Sequence, residues 1–284
     1  PILAENGGWA IFIFTPRGRN HAFQIYQMAL QNEGWFAELL TADDTGAITR
    51  QDIDEERKAG MGEDMIRQEF YCDFLVSTEN VLIPYALIEG ALNRKASYAQ
   101  APKLAGLDVA RFGDDRTALV VRQGGNVAHI ETWRNLDTMQ TSARVQDLYK
   151  ARVFQAIAVD AIGVGAGVAD ILSSWGVPVV AVNVAESASN DDRFSRLRDE
   201  LWWSLRDWFN EGTCSIPPHP HRDKLVAEIQ DIRYDYNPTG KVIIEPKDQM
   251  KERMGFSPDI ADALCLTFDR RLVWQADRPS IWDE

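Results

Sequence analysis

Apolar residues fall along the 284-residue chain in short runs and helical stripes, and from Lys103 onward the two alternate regularly. Lys103–Ala110 is an apolar run that reads as a buried strand, and Thr117–Arg122 and Val127–Trp133 read as two more. The Gly124-Gly125-Asn126 turn makes a hairpin of the last two. A helix is predicted at Met139–Arg152, a strand at Ala156–Asp160, a helix at Val168–Trp175 and a strand at Val177–Val182. A long amphipathic helix follows from Asp192 to Asn210, with Phe194, Leu197, Leu201, Leu205 and Trp208 as its apolar stripe. Cys214–Pro217 reads as a short edge segment and His221–Ile232 as a helix. Tyr234–Ile244 reads as a hairpin turning at Asn237-Pro238-Thr239-Gly240. Ser257 is expected to cap a last helix, with Pro258 at its first position. Three antiparallel strands, a crossover helix and a strand–helix–strand unit fit an α/β fold. Its core would be a mixed five-stranded sheet flanked by helices, with an added β-hairpin, and its first and fourth strands could be neighbours.

The first hundred residues carry a different pattern. Trp9–Pro16 reads as a buried strand followed by a turn at Gly18, and Trp35–Thr41 as a second strand. Between them a helix is expected at Ala22–Gln31, with Phe23, Tyr26 and Leu30 on one face. Thr49–Ala59 begins like a capped helix, Thr49 being followed by Asp52, and Met61–Phe70 is another helix. This is too little for a complete α/β domain and reads as the end of one, and Pro1 in place of Met suggests an excised piece. The expected division is 1–74 for that remnant and 75–102 for a linker containing a helical Tyr85–Leu92. The main domain is expected over 103–270 and a tail over 271–284.

Three acidic positions change the picture. Asp108 and Asp160 each end an apolar strand, and Asp262 lies at the start of the last helix. An unpaired charge at a core edge is costly, so stability alone does not place carboxylates there. Brought together, three carboxylates repel one another, and a divalent cation removes the repulsion. Such a set suits two-metal phosphodiester hydrolysis. Each aspartate alone could equally be a cap or turn residue. Asp259, one turn before Asp262, reads mainly as a first-turn residue favouring the helix dipole. Asp114 and Asp115 read as a hairpin connection, with a lesser outer role for Asp115. Gly163, Gly165 and Gly167 could present amides to a phosphate, although tight packing is the commoner use of such a turn. His219 and His221 flank Pro220 and read as a surface loop rather than a metal pair. Lys247, Lys251 and Arg253 form a basic run that is either a solvated face or a DNA-backbone contact.

Charge and cysteine usage narrow the classes. The net charge is −13, with 8 basic and 15 acidic residues in 1–100 and 22 and 28 in 101–284, which argues against bulk-charge coating of nucleic acid. Cys72, Cys214 and Cys265 give neither a disulfide framework nor a zinc spacing, which favours a reducing cytosol. No run is long enough to cross a membrane, no secretory signal pattern is present, and no GxxxxGK[ST] sequence occurs.

At these residues the chain resembles the large terminase subunit of tailed bacteriophages. Gly106-Leu107-Asp108-Val109-Ala110 through Ala118, Val159-Asp160 with Gly163 and Gly165, and Ser257-Pro258-Asp259-Ile260-Ala261-Asp262-Ala263-Leu264 resemble its three nuclease motifs. Residues 9–74 are similar to the tail of that family's ATPase domain. There Thr15-Pro16-Arg17-Gly18 resembles the coupling segment, and Gln68-Glu69-Phe70 through Phe74 resembles the exit into the linker. The resemblance implies an RNase H-like nuclease in which Asp108, Asp160 and Asp262 hold two Mg²⁺ or Mn²⁺ ions. It implies cutting of concatemeric double-stranded DNA in the cytoplasm of an infected bacterium. It implies the portal protein and the small terminase subunit as partners, but the chain departs from the family in lacking the Walker A and B strands, so ATPase activity is not expected from this fragment. Three other readings stand beside it. One is a resolvase or transposase core of the same fold. Another is a sugar-kinase or actin-like nucleotide-binding domain, which would need a second phosphate hairpin. The third is a catalytically silent module docking on a portal.

Overall fold

The structure, a computed structural model, describes residues 8–16, 21–58, 61, 63–74, 81–96, 98–110 and 116–276. The chain divides into two compact units, Pro1–Glu79 and Asn80–Glu284. In the first unit the described helices are α1 (His21–Leu30), α2 (Ala42–Thr45), α3 (Arg50–Lys58) and α4 (Glu63–Tyr71). A small core of Ala42, Ile53 and Ile66 joins the last three. Thr41 and Asp44 form a capping box at α2, and Thr49 and Asp52 exchange the same pair of bonds at α3. The strands expected at Trp9–Pro16 and Trp35–Thr41 do not form. No described residue of this unit is in a strand, and Ile13 and Phe36 are 91% and 87% exposed. An apolar run becomes a strand only when a neighbour takes its amides and carbonyls, and among the described residues none does. Arg17 and Gly18 of the expected turn lie outside the described residues.

The second unit opens with α5 (Tyr85–Asn93) and then builds its sheet from β1 (Lys103–Asp108), β2 (Thr117–Gln123) and β3 (Asn126–Trp133). After α6 (Thr138–Lys150) come β4 (Ala156–Asp160), α7 (Val164–Ser174) and β5 (Val179–Val182). The order is β3-β2-β1-β4-β5, with β1 antiparallel to β2 and parallel to β4, as the alternation predicts. Side chains alternate across the sheet. Ala105, Leu107, Ile157 and Val159 face a core shared with Val145 of α6 and Val168 and Leu172 of α7. Leu104, Ala156 and Ala158 face the opposite core. That face is covered by α8 (Leu197–Asn210), α9 (Arg222–Ile229) and α11 (Asp259–Leu266). Between α9 and α11 lie the hairpin β6 (Tyr234–Tyr236) and β7 (Val242–Ile244) and the helix α10 (Lys247–Met254), and α12 (Arg270–Ala276) follows.

Some boundaries depart from the expectations. The first turn expected for α8 is instead held by the hairpin, through Val242 N–H to the Arg193 carbonyl at 2.8 Å and Ser195 N–H to the Val242 carbonyl at 3.3 Å. Helix α7 starts at Val164, inside the glycine turn. A Cβ on Gly165 would lie 1.8 Å from the Asp160 carbonyl oxygen, so this glycine allows α7 to abut the end of β4. Helix α10 was not anticipated, because Met250 is the only residue of its polar sequence that is buried.

Candidate active site

Asp108 follows Leu104 and Gly106 on one face of β1, and Asp160 follows Ala156 and Ala158 on the same face of β4. The parallel register pairs Leu107 with Val159, so the two aspartates end adjacent strands at the same level. Helix α11 crosses that face in close contact. A Cβ on Gly106 would lie 1.9 Å from the Ala263 carbonyl oxygen, so only glycine lets the helix come so near. Asp262, in the first turn of α11, is thereby brought over the strand ends. All three aspartates line one cavity of about 510 Å³, together with Ile162, Arg196, Trp202 and Lys247.

The ammonium of Lys247 lies within this acidic set. Nζ is 3.0 Å from Asp108 Oδ2, 2.9 Å from Asp262 Oδ2 and 3.8 Å from Asp259 Oδ1. Burial opposes its charge, but attraction to Asp262 and Asp108 outweighs burial and holds Lys247 protonated well above the ordinary lysine range. Burial pushes the Asp108 carboxyl up to about 7, with Lys247 opposing and Asp262 reinforcing the shift. Asp160 is also raised, chiefly by burial, against the stabilising hydrogen bond that Ile162 N–H donates to Oδ1 at 3.0 Å. The indole N–H of Trp202 donates to Asp262 Oδ1 at 3.1 Å. Asp259 accepts from Arg116 N–H at 3.1 Å through Oδ2, while its Oδ1 is buried without a hydrogen-bond partner.

Helix α11, expected to be the last but followed by α12, is not mounted as expected. The capping position is Pro258, and Ser257 Oγ is buried without a partner. Glu228 of α9 serves instead: its Oε2 accepts from Ile260 N–H at 2.8 Å and Ala261 N–H at 2.9 Å. These are amides that any helix start leaves free. At the other end Arg122 of β2 donates to the Thr267 carbonyl at 2.7 Å and to Thr267 Oγ1 at 3.0 Å. The carboxylate-bearing helix is thus fixed at its start, middle and end.

The remaining expectations divide. Lys247, read as a DNA-backbone contact, sits among the carboxylates. Arg253, expected to face solvent, is half-buried and grips Glu245 with Nη2 to Oε2 at 2.6 Å and Nε to Oε1 at 2.9 Å, and also the Asp231 carbonyl. Lys251 is exposed on α10. His219 and His221 cluster with His129, the ring centroids of His221 and His129 lying 5.6 and 6.1 Å from that of His219, and none of the three lines the cavity. Asp114 and Asp115 lie outside the described residues. The roles of Lys247, Asp259, Trp202 and Glu228 carry no local sequence signal, since each is set by contacts across the fold.

The fold is that of the nuclease domains of phage large terminase subunits, an RNase H-like sheet with an added hairpin. The nuclease domain of the large terminase subunit gp2 of bacterial virus Sf6 aligns with a TM-score of 0.58 at 21% identity, over 66% of this chain and 97% of that one. A mutant of that domain with manganese and beta-thujaplicinol gives 0.57 at 20% identity over 66% and 97%. The large terminase nuclease from thermophilic phage G20c with bound magnesium gives 0.50 at 16% identity over 68% and 98%. No protein-family model matches the chain, and no curated protein matches it.

Proposed function

We propose that this chain is a metal-dependent endodeoxyribonuclease of a viral DNA-packaging terminase, with Asp108, Asp160 and Asp262 as its metal ligands. The observation that carries the reading is the convergence of these three carboxylates on one cavity, in which the Lys247 ammonium pairs with Asp108 and Asp262. Among the described residues no three carboxylate, histidine or cysteine side chains already have the spacing of a metal site. The donor chemistry nevertheless fits hard divalent cations. The donors are carboxylate oxygens, a protonated amine already stands among them, and Asp259 Oδ1 is a buried oxygen without a hydrogen-bond partner. Two Mg²⁺ or Mn²⁺ ions, when bound, would supply an acidified water and a counter-charge for the leaving 3′ oxygen.

The residues of this chain do the rest. Asp160 lines the cavity and is anchored through Oδ1 to the Ile162 amide, which leaves its other oxygen for the cation. Lys247 balances the acidic set in the metal-free protein, and with its side chain 40% exposed it has room to withdraw from Asp108. Arg196, exposed on the cavity wall, is placed to hold a neighbouring phosphate. The substrate would be concatemeric double-stranded DNA, and the portal protein and small terminase subunit would be partners in the host cytoplasm. Residues 1–74 would be the end of the motor's ATPase domain and 75–102 its linker. No described helix is long and apolar enough to cross a membrane.

The test is nicking of supercoiled plasmid with Mn²⁺ and without ATP. Cleavage is expected in the parent and is expected to vanish with EDTA, with Asp108→Ala and with Asp160→Asn, which keeps the shape but removes the charge. Undiminished cutting by both variants, in protein free of contaminating nuclease, would overturn the assignment.

A further inference from the structure

We propose that Trp202 is a positioning residue for the metal site, fixing Asp262 so that one chosen carboxylate oxygen faces the cation. The inference rests on the nuclease reading above. Four tryptophans are buried among the described residues: Trp133, Trp202, Trp203 and Trp208. The indole N–H groups of Trp133, Trp203 and Trp208 have no partner. Trp202 alone of the four is paired, with Asp262 Oδ1 at 3.1 Å. Packing in this core therefore does not by itself require an acceptor for a tryptophan.

The geometry gives the bond a direction. Trp202 is 1% exposed and belongs to the core on this face of the sheet, so the indole is held in place by its packing. Asp262 divides its oxygens between two donors. Oδ1 takes the indole N–H, and Oδ2 takes the Lys247 ammonium at 2.9 Å. Replacing the ammonium with a divalent cation would leave the indole bond intact. Oδ2 would then be the oxygen facing the cation, and rotation of the carboxylate about its Cβ–Cγ bond would be blocked. A ligating carboxylate is commonly oriented by such a donor, and losing one costs on the order of tenfold or more in metal affinity.

The experiment measures Mn²⁺ binding to the full chain by electron paramagnetic resonance of the free ion, in the parent, Trp202→Phe, Asp262→Asn and the double variant. Phenylalanine keeps an aromatic ring at the position and deletes the donor. Trp202→Phe is expected to bind Mn²⁺ about tenfold more weakly. In the Asp262→Asn background the same change is expected to add nothing, a pattern that general loosening of α8 would not give. Parental affinity in Trp202→Phe, or an equal loss in both backgrounds, overturns the proposal. A parent that binds no Mn²⁺ sinks the nuclease reading itself, and this proposal with it. Should Trp202→Phe not fold, the indole ¹H–¹⁵N resonances of the parent decide. One of them is expected to shift in Asp262→Asn and under Mg²⁺ titration, and indole resonances blind to both would overturn the proposal.

Discussion

At the scale of single residues, Lys247 is the most consequential side chain outside the three aspartates. It neutralises carboxylates that would otherwise repel one another, and it stands where a cation would have to act. Removing one partner of a buried ion pair costs about 3–5 kcal/mol, and the exposure of the Lys247 side chain reduces that expectation to about 1–3 kcal/mol. Lys247→Met, which keeps the stem and deletes the charge, should therefore melt lower than the parent in EDTA. It should also gain more from Mn²⁺, because no ammonium competes for the same oxygens. Thermal melts of both proteins across a Mn²⁺ titration check this, and equal metal-induced shifts would place the cation elsewhere. The Lys247 pKa is raised, so its stabilisation is complete below the ordinary lysine value and is lost only as pH climbs through the folded value. It should thus add no pH dependence to stability between about 6 and 9.

At the scale of elements, function depends on how α11 is mounted on the sheet. Gly106→Ala would drive a methyl into the Ala263 carbonyl, so the helix or the strand must shift. Overpacking of this kind costs about 1–3 kcal/mol. Since the displaced helix carries Asp262, cleavage should fall further than stability does, and activity measured well below the variant's melting temperature separates the two effects. Glu228 gives a second handle. Burial raises its pKa to about 8, against the two amide hydrogen bonds that favour the charged form. A carboxyl with a raised folded pKa stabilises most below its unfolded value, near 4.5, and that contribution is lost as pH rises through about 8. The parent should lose stability across this window. Glu228→Gln, which keeps an acceptor for the amides and cannot ionise, should lose less. Parallel pH–stability curves for the two proteins would show that Glu228 is not the group responsible.

At the scale of the molecule, what could be read from the sequence was whatever is local. Short Val-, Ile- and Ala-rich runs mark the strands of a mixed sheet in which β1 and β4 can be neighbours, and aspartates end the two strands that border the cavity. The pairing of Lys247 with Asp108, 139 positions away, and of Trp202 with Asp262, 60 positions away, leaves no local trace in the sequence. Trp9–Pro16 and Trp35–Thr41 were misread because an apolar run does not reveal whether a strand will stand beside it. The same non-local contacts revise the expected DNA track. Arg253 is occupied by Glu245, whereas Arg196 is exposed on the cavity wall, and the exposed Arg193 lies over the Trp203 ring at 4.9 Å. With a net charge of −13 the chain has no long-range attraction for DNA, so binding should be weak. A dissociation constant near 10⁻⁴ M, the weak end of the range of about 10⁻⁴–10⁻⁶ M for non-specific binding, is expected at physiological salt. Each phosphate contact contributes about 0.9 to the slope of log affinity against log salt. Arg193→Gln with Arg196→Gln should therefore lower that slope by about 2 and slow plasmid cleavage. If this double variant keeps the parental slope and Lys251→Glu lowers it instead, DNA runs along α10.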